Sequence, residues 1–560
     1  MHILKHLGPV LLLALLVGKQ TLAQSKIDRF GCEDPFSLCT ERQYNRSLDP
    51  EYKGRYIGHD EPSLLFYSGV RGSGNHYVSK LVLPTDPPTF PTDANPNGTG
   101  GPTIWNFQLH PAFWYGMALC DSESFPIFTR RCEPDSDENI FDSGDPHSTH
   151  YIGRHPGTAF LELQFYPPGW VIGYTPSQYA AALHLNSFSV KAAGPKGPIA
   201  NNMDCQNKVG LETTAFALLT LDGKSQAPGD PLNHDPNKQA VLPGETFLMN
   251  PGDTLIVTVR DTEDGLLTMV QDLTTGQTGS MTASIANGFA QIVFDPDAKT
   301  CTSRPYAYHP MYATSSEHTR VPWAAHSYNV AFSDEIGHYN YCDVQDGSII
   351  TGLLGACLSS PVEVETDPKT GKHNEVDDFF CVDPASSIIF GSTTPLGGCL
   401  DSDADFDGIP YHNAWPGTPP DPYRFSAVPS PIRFTSLKFT PGEGEDEEGL
   451  QDFSRVAFEA DIPAIEDSSV CDVLTGNGCT NPPPGAIFYP VYSTASISGQ
   501  CWWQLGGPMI PGTTNNFGGS SATEYSTLLG SVYQTGTRSR PGSVIAFENY
   551  HQILPNNPCK

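Results

Sequence analysis

The residues of this chain best suited to chemistry are carboxylates. Residues 401 to 408 read DSDADFDG, so Asp401, Asp403, Asp405 and Asp407 stand at alternate positions ahead of Gly408. From Asp403 onward the stretch repeats the first half of a helix-loop-helix calcium loop. There a glycine permits the sharp turn that lets hard carboxylate oxygens converge on one cation. The second half departs from that pattern, because position twelve is Ala414 where a bidentate glutamate belongs, and the flanks carry no amphipathic helical period. Four like charges this close repel one another unless a cation neutralises them. The spacing therefore predicts a short calcium loop, completed by backbone and water oxygens, whose role is to fix structure.

A second pair is Glu162 and Gln164 in GTAFLELQFYPPGW. Two residues apart on a strand, they project from one face. On a groove, a carboxyl and an amide so placed can orient a water, move its proton and hold an oxyanion. Glu317, a short way before Trp323, is the third candidate acid. Between 309 and 342 lie His309, His318, His326 and His338, but they show no HExxH or other fixed ligand spacing. His326 shares a strand face with Tyr328, Val330 and Phe332 and reads as a hydrogen-bonded packing residue. Neither a Gly-x-Ser-x-Gly elbow nor a phosphate-binding Gly-Lys-Ser/Thr loop is present.

The elements that must position these residues are strands. With 53 glycines and 51 prolines in 560 residues, the chain is rich in turns, and β-branched and aromatic residues alternate with polar ones in short runs. Such runs begin at 63 (SLLFYS), 77 (YVSKLVL), 103 (TIWNFQ), 158 (TAFLELQFY), 214 (TAFALLTL), 254 (TLIVTVR) and 327 (SYNVAFS). This predicts a mainly β protein of antiparallel β-sandwich or jelly-roll units, each sheet burying one face. The length suggests two units, a β-sandwich over 50–340 and a second β-rich domain over 381–560 that carries the calcium-type loop. A polar linker, 341–380, separates them.

Residues 1–23 read as a secretory signal peptide: Lys5 precedes an apolar run from Leu7 to Gly18, and Thr21-Leu22-Ala23 forms a small-residue cleavage site. That run is shorter than the roughly 20 residues a spanning helix needs. Fourteen cysteines fit an oxidising exterior, and 24–49 reads as an N-terminal segment holding its own disulfide. Close pairs such as Cys32/Cys39, Cys120/Cys132 and Cys471/Cys479 suggest local staples. Asn45 and Asn97 head N-glycosylation sequons. A net charge of -31 argues against nucleic acid, which requires a basic footprint, and favours cations as ligands.

Two resemblances follow from longer phrases. GTAFLELQFY together with NPGDTLIVTVRDTEDGLLTMVQDLTTGQTGSMTAS resembles strands of the secreted fungal glutamic peptidases. That resemblance implies a concanavalin-like β-sandwich with a catalytic glutamine and glutamate facing a groove. It places Glu162 where the family carries its glutamine, a departure, with Gln164 two positions later. DGKSQAPGDPL, DLTTGQTGSMTASIANGF, HSYNVAFSDEIGHY, DADFDG and NNFGGSSATEY are similar to a family of large secreted microbial proteins without an assigned activity. That second likeness implies export and a shared fold and brings no catalytic residues.

The expectation is a secreted, extracellular, calcium-stabilised glycoprotein with a binding or structural role, its partner an extracellular polysaccharide or protein. Trp105, Trp114, Trp502 and Trp503 are candidates for stacking on sugars. The rival is an acid hydrolase, glutamic-peptidase-like or glycosidase-like, using Glu162 with Gln164 or Glu317. A third alternative is an accessory protein of a biosynthetic pathway.

Overall fold

Strands whose apolar residues recur every second position hide one face each, and two such sheets hide those faces in each other. The structure is a computed structural model. It describes residues 63–85, 114–123, 145–151, 158–166, 178–191, 199–310, 320–324, 433–440, 449–462, 492–505 and 548–560, with short interruptions, and a few very short strands elsewhere. Its centre is a pair of antiparallel nine-stranded sheets.

The first sheet comprises β1 (Ser63–Tyr67), β3 (Trp114–Cys120), β4 (Thr158–Tyr166), β5 (Tyr179–Phe188), β6 (Glu212–Leu218), β7 (Leu248–Met249), β11 (Arg320–Ala324), β15 (Arg455–Ile462) and β18 (Glu548–Leu554). Its order is β6-β5-β4-β3-β11-β1-β15-β18, with β7 pairing the start of β5. The second comprises β2 (His76–Val82), β8 (Thr254–Thr262), β9 (Gly265–Asp272), β10 (Thr278–Thr282), β12 (Arg433–Phe434), β13 (Lys438–Phe439), β14 (Gln451–Asp452), β16 (Tyr492–Ile497) and β17 (Gln500–Leu505). Here the order is β10-β9-β8-β2-β12-β17-β16, with β13 joining β2 to β14.

One core joins the two sheets. Leu161, Leu163 and Phe165 of β4 and Leu183 and Leu185 of β5 meet Tyr77 and Leu81 of β2, Leu255, Val257 and Val259 of β8, and Trp503 of β17, all buried. The alternation in TLIVTVR is realised, since Leu255, Val257 and Val259 face inward while Thr254, Ile256, Thr258 and Arg260 are half-buried on the other side.

Strands from the two units expected at 50–340 and 381–560 share both sheets. β15 pairs with β1 through Val456↔Phe66 and Phe458↔Leu64, and β12 and β13 pair with β2 through Phe434↔Leu81 and Phe439↔Tyr77. The expected boundary at 341–380 thus does not divide one sheet from another. The backbone donors and acceptors along β1 and β2 need partners, and strands several hundred residues away supply them. Sequence order carries no sign of that pairing.

Between β12 and β13 three residues lie opposite two of β2, a β-bulge. The extra residue allows Ser436 and Leu437 both to be buried. Ser436 Oγ accepts from Trp503 Nε1 at 2.9 Å and lies 3.1 Å from Asn557 Nδ2. Asn557 Oδ1 accepts from Cys559 N at 2.9 Å, and Cys559 is disulfide-bonded to Cys501 in β17. The chain end is thereby pinned to the core. A second disulfide, Cys205–Cys301, ties α1 (Met203–Val209) to the segment between β10 and β11. The α1 helix starts where Asn202 accepts from Cys205 N at 3.0 Å and stops at Gly210, whose φ of 72° a side chain would resist. Both bridges span long stretches, 96 and 58 residues, unlike the local staples expected from spacing. The close cysteine pairs themselves have side chains outside the described set. Among the described residues no cysteine is free, and no helix is long and apolar enough to cross a membrane.

Candidate functional site on the outer face of the first sheet

Because Leu161, Leu163 and Phe165 point into the core, Glu162, Gln164 and Tyr166 point away from it. The register then decides what stands beside them. Glu162 is directly opposite His184 of β5 on one side and Gly116 of β3 on the other, and His184 is opposite Phe216 of β6. A single row, Gly116–Glu162–His184–Phe216, therefore crosses four strands. The next row places Trp114 opposite Gln164, Ala182 opposite Gln164 on the other side, and Leu218 opposite Ala182. Further along, Tyr166, Ala180, Leu218 and Val241 form a small buried cluster against which Phe216 and Leu248 pack. The polar group of Glu162, Gln164 and His184 thus borders this apolar cluster on one side.

Its hydrogen bonds are interlocked. Gln164 Nε2 donates to Glu162 Oε2, and lies 2.8 Å from His184 Nδ1. Tyr166 donates its hydroxyl to Gln164 Oε1. An amide nitrogen has two hydrogens, so both of Gln164's are spent on these acceptors. Accepting at Nδ1 leaves neutral His184 with its own proton on Nε2. His184 Nδ1 is also 3.5 Å from Glu162 Oε2. Glu162 is 13% and His184 23% exposed, whereas Gln164 is 5% exposed. The buried amide is thus a fixed support. The two groups it holds keep a free acceptor, Glu162 Oε1, and a free donor, His184 Nε2–H, with no hydrogen bond to either among the described residues. Phe216 meets His184 edge to face at 6.1 Å between ring centres, and meets His234 edge to face at 6.0 Å.

Of the residues expected to act, Glu162 and Gln164 come together on one face. Glu317 lies outside the described residues, as do Asp401, Asp403, Asp405, Asp407, Asn45, Asn97, His318, His326, His338 and residues 1–23. Among the described residues no group of three or more His, Cys, Asp or Glu side chains could hold a metal ion. His309 is described and is fully buried against Asp261, away from this face. Among the described residues the tryptophans expected to stack on sugars form no exposed platform: Trp114 and Trp503 are fully buried and Trp502 is 7% exposed beneath the Lys80 ammonium. Trp105 lies outside the described residues.

His184, Tyr166 and Phe216 were not expected. His184 had a weak signal, as the first polar outer position after Ala180 and Ala182 on a strand. Its place opposite Glu162 depends on strand register, which no local pattern fixes. Comparison with protein families, characterised proteins and solved structures gave no match to this chain.

Proposed function

We propose that the protein is a secreted, calcium-stabilised β-sandwich glycoprotein that binds an extracellular polysaccharide through the Glu162–His184 face. One observation carries this reading: the row Gly116–Glu162–His184–Phe216 offers a carboxylate acceptor and an imidazole donor side by side, flanked by an aromatic ring. Vicinal hydroxyls of a sugar need that combination, one oxygen accepting from His184 Nε2–H while the other donates to Glu162 Oε1. Gly116 brings no side chain to crowd the carboxylate, and Phe216 offers apolar surface to a sugar's C–H face. Disulfides and the excess of acidic residues support an extracellular setting. The DSDADFDG stretch supports calcium as the stabilising ion.

The acid-hydrolase reading has one observation in its favour, the Glu162–His184 contact at 3.5 Å, which sets a carboxyl beside an imidazole. It ranks second for two reasons. Gln164 has no hydrogen left for an oxyanion, and no second carboxyl joins Glu162 in the interlocked set. Affinity electrophoresis through gels containing soluble β-glucan, pectin or xylan tests the two readings together. Retardation by one polymer that is lost in Glu162→Gln and His184→Ala, with no reducing ends released, supports binding. Unretarded migration in all gels, with release of reducing ends or of peptides from denatured casein at acidic pH, replaces it with hydrolysis.

A further inference from the structure

At one end of the sandwich three side chains from three chain segments form a line. Asp261, near the end of β8, has the inward parity of Val257 and Val259 and is buried between the sheets. Its Oδ1 is 2.7 Å from Nδ1 of His309, whose side chain is also fully buried. His309 Nε2 in turn lies 3.2 Å from Nδ1 of His150, in the loop 145–151. The two imidazole rings are 5.5 Å apart. His150 is the only half-buried member, so protons enter and leave the line there.

The three segments hold each other through backbone bonds as well. Ala307 N donates to Thr149 O at 3.0 Å, Leu266 N donates to Tyr308 O at 2.9 Å, and Asp261 N donates to Asn75 O at 2.8 Å. The hairpin between β8 and β9 depends on Gly265, whose φ is +132°, and a Cβ there would sit 2.4 Å from Ala283 O. The exposed turn residues of that hairpin, Glu263 and Asp264, act electrostatically on His150. His309 faces Asp261 and His150, and Asp121 and Asp230 act on the neighbouring Tyr308. Arg260 and His76, paired across β8 and β2, lie on the opposite face of the sheet.

Proton counting shows what the line tolerates. With Asp261 ionised and both imidazoles neutral, His309 donates from Nδ1 to Asp261 and accepts at Nε2 from His150 Nδ1–H, so each contact holds one hydrogen. One added proton, carried by His309 so that its Nε2–H donates to His150 Nδ1, leaves every contact intact and offsets the Asp261 charge. A second, making both imidazoles cationic, puts two N–H groups against each other between His150 and His309, and that contact must break.

We infer that Asp261, His309 and His150 form a pH-operated latch on loop 145–151, closed while at least one imidazole is neutral and released when both become cationic. Burial, then repulsion from His309, pushes the His150 imidazolium below the usual histidine range, with Glu263, Asp264 and Asp261 opposing. The sign follows: a depressed histidine stabilises the latched form above its ordinary value, and that stability is lost as pH falls through its folded value.

The test is amide hydrogen exchange on the full chain, converted to protection factors, at about pH 7 and about pH 4.5, on either side of the ordinary histidine value. The reporters are His150, Tyr151 and Ala307, whose N–H groups bond to Ser148 Oγ, Ser148 O and Thr149 O. Their protection should fall at the lower pH by roughly tenfold for each pH unit below the release point, while core amides of Val257 and Val270 keep theirs. His150→Gln, whose uncharged amide can donate to a neutral His309 or accept from a cationic one, should hold the loop equally at both values. Equal protection of the parent at both pH values overturns the latch. So does the same acid loss in His150→Gln, or loss of protection in the core together with the loop.

Discussion

Gln164 Nε2 stands 2.8 Å from His184 Nδ1 while also donating to Glu162, so one buried amide fixes both the place of the carboxylate and the tautomer of the imidazole. Replacing Gln164 with Leu keeps the volume and removes every one of these bonds. Tyr166 then loses the Gln164 oxygen as acceptor, and stability should fall by about 1 to 3 kcal/mol, the cost of leaving buried polar groups less well matched. Nitrogen chemical shifts of His184 should move from a single Nε2–H form to a mixture of tautomers. An unchanged tautomer would show that another group fixes the ring.

The disulfide Cys501–Cys559 closes a loop of 58 residues, for which chain entropy gives a stabilisation of up to about 4 kcal/mol. Replacing both cysteines with alanine should lower the urea midpoint accordingly and leave the fold intact, because Asn557 still anchors the chain end through Ser436 and Phe453 O. Asn557→Ala on top of that change removes the second anchor. The doubly weakened protein should lose protection at the amides of β17 first.

Asp253 and Asp272 are buried together at the base of β8 and β9. Burial, followed by the Asp272 charge, raises the Asp253 carboxyl above its usual range, while bonds from Asn250 act the other way. A folded value above the unfolded one stabilises below the unfolded value and loses that contribution as pH rises through the folded one. Asp253→Asn mimics the protonated form and can donate to Asp272. Its melting temperature should match the parent in acid and exceed it at neutral pH. A variant less stable than the parent at neutral pH would mean the carboxylate is the favoured form.

Calcium bound at Asp401, Asp403, Asp405 and Asp407 should stabilise the native state by mass action, about 2.7 kcal/mol at a hundredfold excess over the dissociation constant. Exhaustive chelation should lower the melting temperature and restored calcium should return it. Asp403→Ala combined with Asp405→Ala should melt like the chelated parent whether or not calcium is present. A chelator effect that survives in this variant would place the ion elsewhere.

Gly265 allows a sharper test of the hairpin that carries Glu263 and Asp264. Gly265→Ala adds a methyl against Ala283 O and imposes a left-handed φ on an L-residue, so the cost should reach about 3 kcal/mol or more. A fall in stability of less than about 1 kcal/mol would mean that the turn can re-form in another geometry.

The mainly β character and many strand positions were legible in the sequence, because alternation with period two is a local pattern: the runs at 63 (SLLFYS), 158 (TAFLELQFY) and 254 (TLIVTVR) all fall on strands. That Glu162 and Gln164 share a face follows from the same period. Tertiary structure alone decided what they meet. His184 and Phe216 reach Glu162 through strand register, and Asp261 reaches His309 and His150 through packing of segments about 50 and 110 residues away. The sharing of both sheets by strands from 50–340 and 381–560 was illegible for the same reason. Backbone groups along β1 and β2 pair with whichever strand completes the sheet, and hydrogen bonds between strands carry no record in the sequence of how far apart their residues lie.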